Sequence, residues 1–501
     1  MRSVEKGLKG PINEVSGKCK GETVSKAIGW WIALTLILGT PNQAFAVGSG
    51  GFENASFSAK SLAESNAVVA QADEPAAISY NPAGIVHLPG LQVQSNAAFI
   101  SLFTFHEKDG NSTRSSGTLS MVPTAYATVN PGKLLWNRVA FGIGSDSPFG
   151  LANKYDSNHP IAHYTGYRTW LKMFTIKPVA AVKITDWLSV GGGPMYYRVF
   201  DFGTILAYPN RLLQSPFGPV PGPPFLPLFP DGQLRLNLSG NSWGWQMGVL
   251  MKPHKKHRFG FYFRSPVQMK VKGKIKVENA SDVTVVPLTF PPFVSFRTSH
   301  SRAFETGGHA KLNLPLNITV GYAFQPNDRS TIEVDFGFTR WSTFNRLYIN
   351  ADPVNAADDA ILKALGTIDT DYRNGFTLHL GGNHKVTKNL TLRGGGMYFW
   401  TPVPKRHFRP SVPDANALAF SIGASYEFSK HFIFDAGYFN RFSLRRHIDN
   451  DISEVLGTSV DGRYFSYIQE LFIGFTYKWD DVFEQFTPEN SKWTKDREMA
   501  G

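Results

Sequence analysis

The sequence predicts an all-β fold, a 14-stranded antiparallel transmembrane β-barrel with its N-terminal segment folded inside as a hatch. Three observations predict it. From Leu91 to Trp479 side-chain character repeats with period two, as a pleated strand with one apolar and one polar face requires. The connections between these stretches alternate between short turns and long loops, the pattern of an outer-membrane barrel whose short side is periplasmic. Aromatic residues make up 14% and charged residues 18% of the chain, with 47 glycines, a composition suited to a sheet whose outer wall meets lipid.

The first 46 residues read as an export signal. Lys18, Lys20 and Lys26 precede the apolar run Ile28 to Leu38, and Ala44-Phe45-Ala46 gives a small-residue cleavage pattern. The run is too short to span a membrane comfortably as a helix. Beyond it, no apolar stretch reaches the roughly 18 residues of a spanning helix. The single cysteine, Cys19, lies inside this signal, so the mature chain has no thiol for catalysis, disulfides or thiolate metal sites. The formal net charge is +12, with basic residues scattered over turns, loops and strand ends. For an exported chain this suits an anionic outer surface of lipid and lipopolysaccharide better than nucleic acid.

Residues 47–88 are small and mixed, and lie between signal and barrel. They are expected to fold into the lumen, which a barrel of this size can hold. The strands are expected at 91–105, 117–131, 136–147, 167–183, 187–201, 233–252, 257–278, 303–325, 329–350, 371–386, 389–400, 415–428, 431–448 and 461–479. In Ile332 to Thr339 the even positions are apolar, and Glu333, Asp335 and Gly337 occupy the odd ones. Leu418 to Phe428 repeats the pattern. The apolar faces end in aromatics such as Tyr398 with Trp400, as interfacial girdles do. The barrel thus spans 89–479, and 480–501 form a polar periplasmic tail.

Two loops stand out. Residues 209–232 are rich in proline and apolar side chains, with Phe217, Phe225, Leu226 and Phe229 offering an apolar contact surface. Ala356 to Leu365 reads as a short loop helix. The kink candidate is Ser147-Pro148-Phe149-Gly150: Pro148 cannot donate to a ladder and Gly150 tolerates unusual dihedrals.

Signals for catalysis or metal binding are poor. Gly240-Asn241-Ser242-Trp243-Gly244 has the spacing of a nucleophile elbow but sits on a strand, whereas the elbow needs a strand–turn–helix. A barrel lipase or esterase is the enzyme alternative. His159 and His163 fall in a loop with no helix to align them on a metal. No nucleotide fingerprint appears, and no cofactor is expected. An open diffusion porin would need neither an apolar hatch nor a greasy loop. Glu333, Asp335, Arg264, Asp435 and Glu427 are expected to line a hydrogen-bonded interior.

The sequence resembles the FadL/TodX-like long-chain fatty-acid outer-membrane transporters over nearly the whole mature chain. The markers run in family order. They are Ser79-Tyr80-Asn81-Pro82-Ala83-Gly84-Ile85, Ser147 to Ala152, Gly240 to Gly244, Phe263-Arg264-Ser265-Pro266-Val267, Leu312 to Pro315, Trp341 to Phe344 and Asp371-Tyr372-Arg373. The resemblance implies a hatch-plugged barrel that passes long-chain fatty acids or related hydrocarbons, aromatic hydrocarbons included, by passive diffusion as a monomer. It implies a first ligand site among outer loops, a second near the hatch, and a side exit at a kink in the third strand. By position, Phe52 matches the aromatic at the hatch tip, Asn81, Pro82 and Ala83 the hatch motif, and Ser147 to Gly150 the kink. For the ligand carboxylate, Arg198 lies near the family's basic position on strand five and Lys363 near its loop lysine.

Overall fold

The inward face of this sheet is polar and the outward face apolar, the inverse of a water-soluble protein. In the computed structural model Ile332, Val334 and Phe336 are 42–50% exposed, while Glu333 and Asp335 between them are fully buried. Phe420 and Ile422 point outward and Ser421 and Ser425 inward. A sheet can bury its carboxylates and expose its leucines only if lipid takes the place of water outside and partners are supplied within.

The structure describes residues 51–54, 57–208, 231–280, 283–287, 294–298 and 302–450, with breaks between 353 and 366, together with 452 and 459–480. All lie within one compact unit, Gln43–Gly501. Among these residues, no helix is long and apolar enough to cross a membrane. The chain crosses instead with 14 antiparallel strands closed into a barrel. These are β1 (Gly90–Lys108), β2 (Asn111–Arg114 and Thr118–Asn130), β3 (Val139–Asp146 and Leu151–Lys154), β4 (Arg168–Lys183), β5 (Leu188–Tyr208), β6 (Gly232–His254) and β7 (His257–Arg264 and Val267–Ala280). There follow β8 (Arg302–Leu314 and Asn317–Asn327), β9 (Ser330–Thr339 and Arg346–Ala351), β10 (Thr367–Asp369 and Gly375–Lys385), β11 (Leu390–Trp400), β12 (Ala417–Glu427), β13 (Phe432–Ser443 and Arg446–Ile448) and β14 (Gly462–Trp479). Each pairs with the next, and β1 closes on β14 in unbroken register from Leu91–Trp479 to Glu107–Arg463.

The expected strand positions hold, with departures at the ends and breaks. β5 runs on to Tyr208 through residues read as loop, because Phe202–Tyr208 continues the ladder with β6 beyond a bulge after Val199. The stretch 329–350 is interrupted by a 3-10 turn, Trp341–Thr343, which swings Trp341 into the interior. Between β2 and β3 the chain makes a 3-10 turn, Gly132–Leu135. β7 and β8 break side by side at Ser265-Pro266 and Pro315-Leu316, where each proline withholds a ladder donor. The long loop after β7 carries its own hairpin, Val283–Pro287 with Val294–Thr298.

Residues 57–88 run through the inside of this ring. They form a short helix, α1 (Ala59–Ala63), capped by reciprocal bonds between Ser58 and Ser61, and then two 3-10 turns, Pro75–Ser79 and Pro82–His87, each opened by proline. Their backbone lies against glycines of the wall. A methyl at Gly260 of β7 would overlap the Val69 carbonyl oxygen, and one at Gly191 of β5 would lie 2.7 Å from the Pro82 carbonyl carbon. On the far side of the ring, a methyl at Gly437 of β13 would lie 2.6 Å from the carbonyl oxygen of Ala59. Glycine here makes room for a second backbone rather than for an unusual dihedral.

Candidate functional site

The polar side chains on the inner wall are matched to the segment they enclose. Val68 and Val69 donate their N–H groups to Asp335 Oδ2 at 2.9 and 3.1 Å, and Ala70 and Gln71 donate theirs to Glu333 at 2.6 and 3.0 Å. Four successive backbone donors therefore meet two carboxylates of β9. Glu64 of the segment pairs with Arg393 of β11 and accepts from Gln71 at 2.8 Å. Lys177 of β4 pairs with Asp146 of β3 at 2.5 Å, both 1% exposed, and both bond the Ser79 hydroxyl. Asn81 donates to the carbonyls of Val69 and Val249 at 2.7 and 3.0 Å and accepts from Ala83 N–H, which fixes the turn begun by Pro82. Ala83 is wholly buried, and its carbonyl accepts from Ser189. Burial pushes the Glu74 carboxyl above its ordinary range, against the pull of Lys60 and of hydrogen bonds from Gln94 and Ser58.

At the other end of the segment lies a ring of aromatic side chains. Phe52, 5% exposed, meets Trp341 at 4.7 Å, Phe344 at 5.3 Å and Phe149 at 6.0 Å between ring centroids, and Tyr372 closes the ring against Phe344 at 5.2 Å. This ring belongs to a larger apolar cluster that takes in Leu171, Met195, Tyr197, Val267 and Met269. The interrupted strands create it: the break in β9 supplies Trp341 and Phe344, and the break in β3 supplies Phe149.

The β3 break is also a break in the wall. The β2–β3 ladder runs from Val129–Phe141 to Ala125–Ser145 and stops. Nearer the strand ends a backbone bond from Ser116 N–H to Lys154 reconnects the two. On the β4 side the ladder skips from Asp146 to Leu151. Residues Ser147 to Gly150 turn inward and pair with the N-terminal segment instead. Asn54 N–H donates to the Pro148 carbonyl at 2.8 Å, Gly150 N–H donates to the Phe52 carbonyl at 2.9 Å, and the Asn54 amide donates to the Ser147 carbonyl. Three residues, Phe52–Asn54, thus serve as the missing strand.

One ion pair sits within this arrangement. Arg264, last residue before the β7 break, is 3% exposed, pairs with Glu53 at 2.5 Å and lies 4.7 Å over the Phe149 ring. Glu53 also accepts from Thr339 at 3.1 Å.

The structure gathers Phe52, Ser147, Pro148, Phe149 and Gly150 into one place and sets Asn81, Pro82 and Ala83 against the wall of β5 and β6. Arg198 is a correction. Met195, Tyr197 and Val199 face inward, so the alternation of β5 turns Arg198 out with Tyr196, whose ring lies 5.0 Å from that of the exposed Trp243 at a tilt. The inward cation beside the aromatic ring is Arg264. Phe217, Phe225, Leu226, Phe229 and Lys363, like the signal at 1–46 and the tail beyond Asp480, lie outside the described residues. Ser242 spends its hydroxyl on the carbonyl of Gln268. His163 binds Asp231 in its loop, and no group of His, Cys, Asp and Glu among the described residues is placed to hold a metal.

A closed barrel with an apolar exterior, a polar interior and an aromatic cluster beside a wall break defines an outer-membrane β-barrel protein. The comparisons name its family. Residues 42–478 match the model of the outer membrane protein transport protein family (OMPP1/FadL/TodX), and the chain belongs to that family. It is 24% identical to the long-chain fatty acid transport protein of Escherichia coli K12 over 411 residues, 78% of this chain and 87% of that one. It is 24% identical to the 47 kDa outer membrane protein of Pasteurella multocida over 417 residues, 81% and 89% of the two chains. Among solved structures, a Pseudomonas aeruginosa FadL homologue superposes with a TM-score of 0.71 at 20% identity, covering 85% of this chain and 99% of that one. The Pseudomonas putida toluene transporter TodX does so at 0.57 and 14% identity, covering 83% and 98%. The chain is a protein of the Gram-negative outer membrane.

Proposed function

We propose that this barrel passes hydrophobic small molecules, long-chain fatty acids or related hydrocarbons, across the outer membrane by passive diffusion, and is not an enzyme. The observation that carries the reading is the aromatic cluster around Phe52 lying directly inside the interrupted β2–β3 wall. An apolar ligand gains nothing by leaving the lumen for periplasmic water, which would return its surface to solvent. Leaving sideways into lipid avoids that cost, and only a break in the ladder offers such a route. Residues 47–88 act as the hatch. The tip, Phe52–Asn54, is held by its hydrogen bonds to the β3 break, by the ion pair with Arg264 and by Thr339, contacts confined to three residues and so open to local release.

In this reading Phe217, Phe225, Leu226 and Phe229 make the first contact outside, each ligand methylene contributing about 0.8 kcal/mol on burial. The protein works as a monomer among lipid and lipopolysaccharide, without cofactor or nucleic acid. A channel restricted to aromatic hydrocarbons is the second reading, favoured by the three rings packed on Phe52, surfaces on which an aromatic ligand could stack.

The test is Ser147→Arg. Ser147 lies in the gap, nearly buried, with its hydroxyl on the Met173 carbonyl. The variant is expected to assemble and to bind ligand nearly as the parent does, but to take it up at least about tenfold more slowly, since a desolvated charge then stands in the exit. Uptake equal to the parent's would place the exit elsewhere.

A further inference from the structure

The cation beside the aromatic cluster already has its anion, and that anion belongs to the chain. Arg264 is buried at the break in β7, with Nη2 2.5 Å from Glu53 Oε1 and Cζ 4.7 Å from the Phe149 ring centroid. Glu53 is further held by Thr339. Glu53 follows directly on Phe52, the residue at the centre of the aromatic ring, so the ion pair borders that cluster. Buried Lys177 and Arg441 are likewise matched, with Asp146 and Asp414. The Arg264 Nε–H has no hydrogen-bond partner among the described residues. The guanidinium thus has a donor to spare and no charge to spare.

We propose that Glu53 sets the ligand charge this transporter accepts: it occupies the place a ligand carboxylate would take on Arg264 and so selects uncharged apolar molecules over free acids. This rests on the transport reading above and narrows it. A second carboxylate beside Glu53 would add a like charge in a desolvated setting. To reach Arg264 it would have to expel Glu53, exchanging one ion pair for another with no net gain. A neutral ligand meets neither obstacle, and an alcohol or ester oxygen can accept the spare Nε–H. Glu53 discriminates through repulsion rather than through a new attraction.

The test compares palmitate with hexadecanol, which have the same chain and differ in charge, by isothermal titration of the purified full-length protein at neutral pH. The parent is expected to bind the alcohol more tightly than the acid. Glu53→Gln leaves Arg264 an unmatched cation, and the affinity ratio should move toward palmitate by about tenfold or more. Arg264→Gln removes the buried cation and keeps the Glu53 carboxylate, and the ratio should move about tenfold the other way. Assembly of each variant is read first from heat-modifiable gel mobility, and the opposed signs allow either variant alone to decide should the other not fold. A ratio unchanged in an assembled variant overturns the inference. So does a parent that prefers palmitate, as it would if Arg409, close to Tyr372, anchored the head group. A parent that binds neither ligand overturns the transport reading together with this one.

Discussion

Asp335 shows how a single side chain can hold two elements together. It is fully buried on β9, and one of its oxygens accepts from two consecutive N–H groups of the N-terminal segment. Replacing it by alanine leaves both donors without a partner in a site closed to water, at a cost of about 1–3 kcal/mol each. The barrel itself loses only an inward-facing side chain. Asp335→Ala is therefore expected to keep heat-modifiable mobility while exposing the stretch around Val69 to protease added from the periplasmic side. Resistance equal to the parent's would mean that the two carboxylates of β9 do not hold the segment. At the same scale Arg264 was visible in the sequence as a lumenal residue, whereas Glu53 carried no signal of its own. Their partnership was not visible, because 211 positions separate them and nothing local marks so distant a contact. Arg198 failed for a related reason. Both faces of β5 carry bulky apolar residues, Met195, Tyr197 and Val199 on one and Tyr196 and Phe200 on the other, so alternation alone gave no hint of which face looked inward.

Among elements, strands were legible where the two faces differ in polarity and illegible where they stop. β12 and β14 were readable because lipid and lumen make opposite demands on alternate residues. The break in β9 was hidden, since Arg340-Trp341-Ser342-Thr343 carries neither proline nor glycine, and it is the packing of Trp341 against Phe52 that stabilises the turn. The break in β3 was announced by Pro148. What the sequence could not announce is that Phe52–Asn54 would pair there, because β-augmentation depends on backbone groups that every residue has. The kink and the tip that covers it are accordingly two halves of one element, and Ser147→Arg probes both.

For the whole molecule, the filled lumen makes a prediction about ions. The parent protein in a planar bilayer should show no large steady conductance, because α1 and the two 3-10 turns occupy the space a porin leaves to water. Gly260→Leu removes the room that Val69 needs and should displace the segment from the wall of β7. The expected result is a barrel that still assembles but now conducts, with open events absent from the parent. An assembled Gly260→Leu barrel that stays silent would show that the plug yields without leaving.

The seam between β1 and β14 has a consequence for how the molecule comes into being. It joins Leu91 to Trp479, so the ring cannot shut until the last strand has been made and delivered. Contacts so distant along the chain form slowly, after the loop-closure entropy of nearly the whole polypeptide has been overcome. The segment in the lumen immediately precedes β1 and touches glycines on opposite walls. A segment bridging both walls in this way is expected to be enveloped while the sheet is still an open, curling ribbon rather than threaded into a finished ring of paired strands. Assembly order is in this sense written into the topology. A barrel made without residues 47–88 should conduct, and adding those residues afterwards as a separate peptide should leave the current unchanged. Blockade by the added peptide would show that the ring can admit its contents after closing.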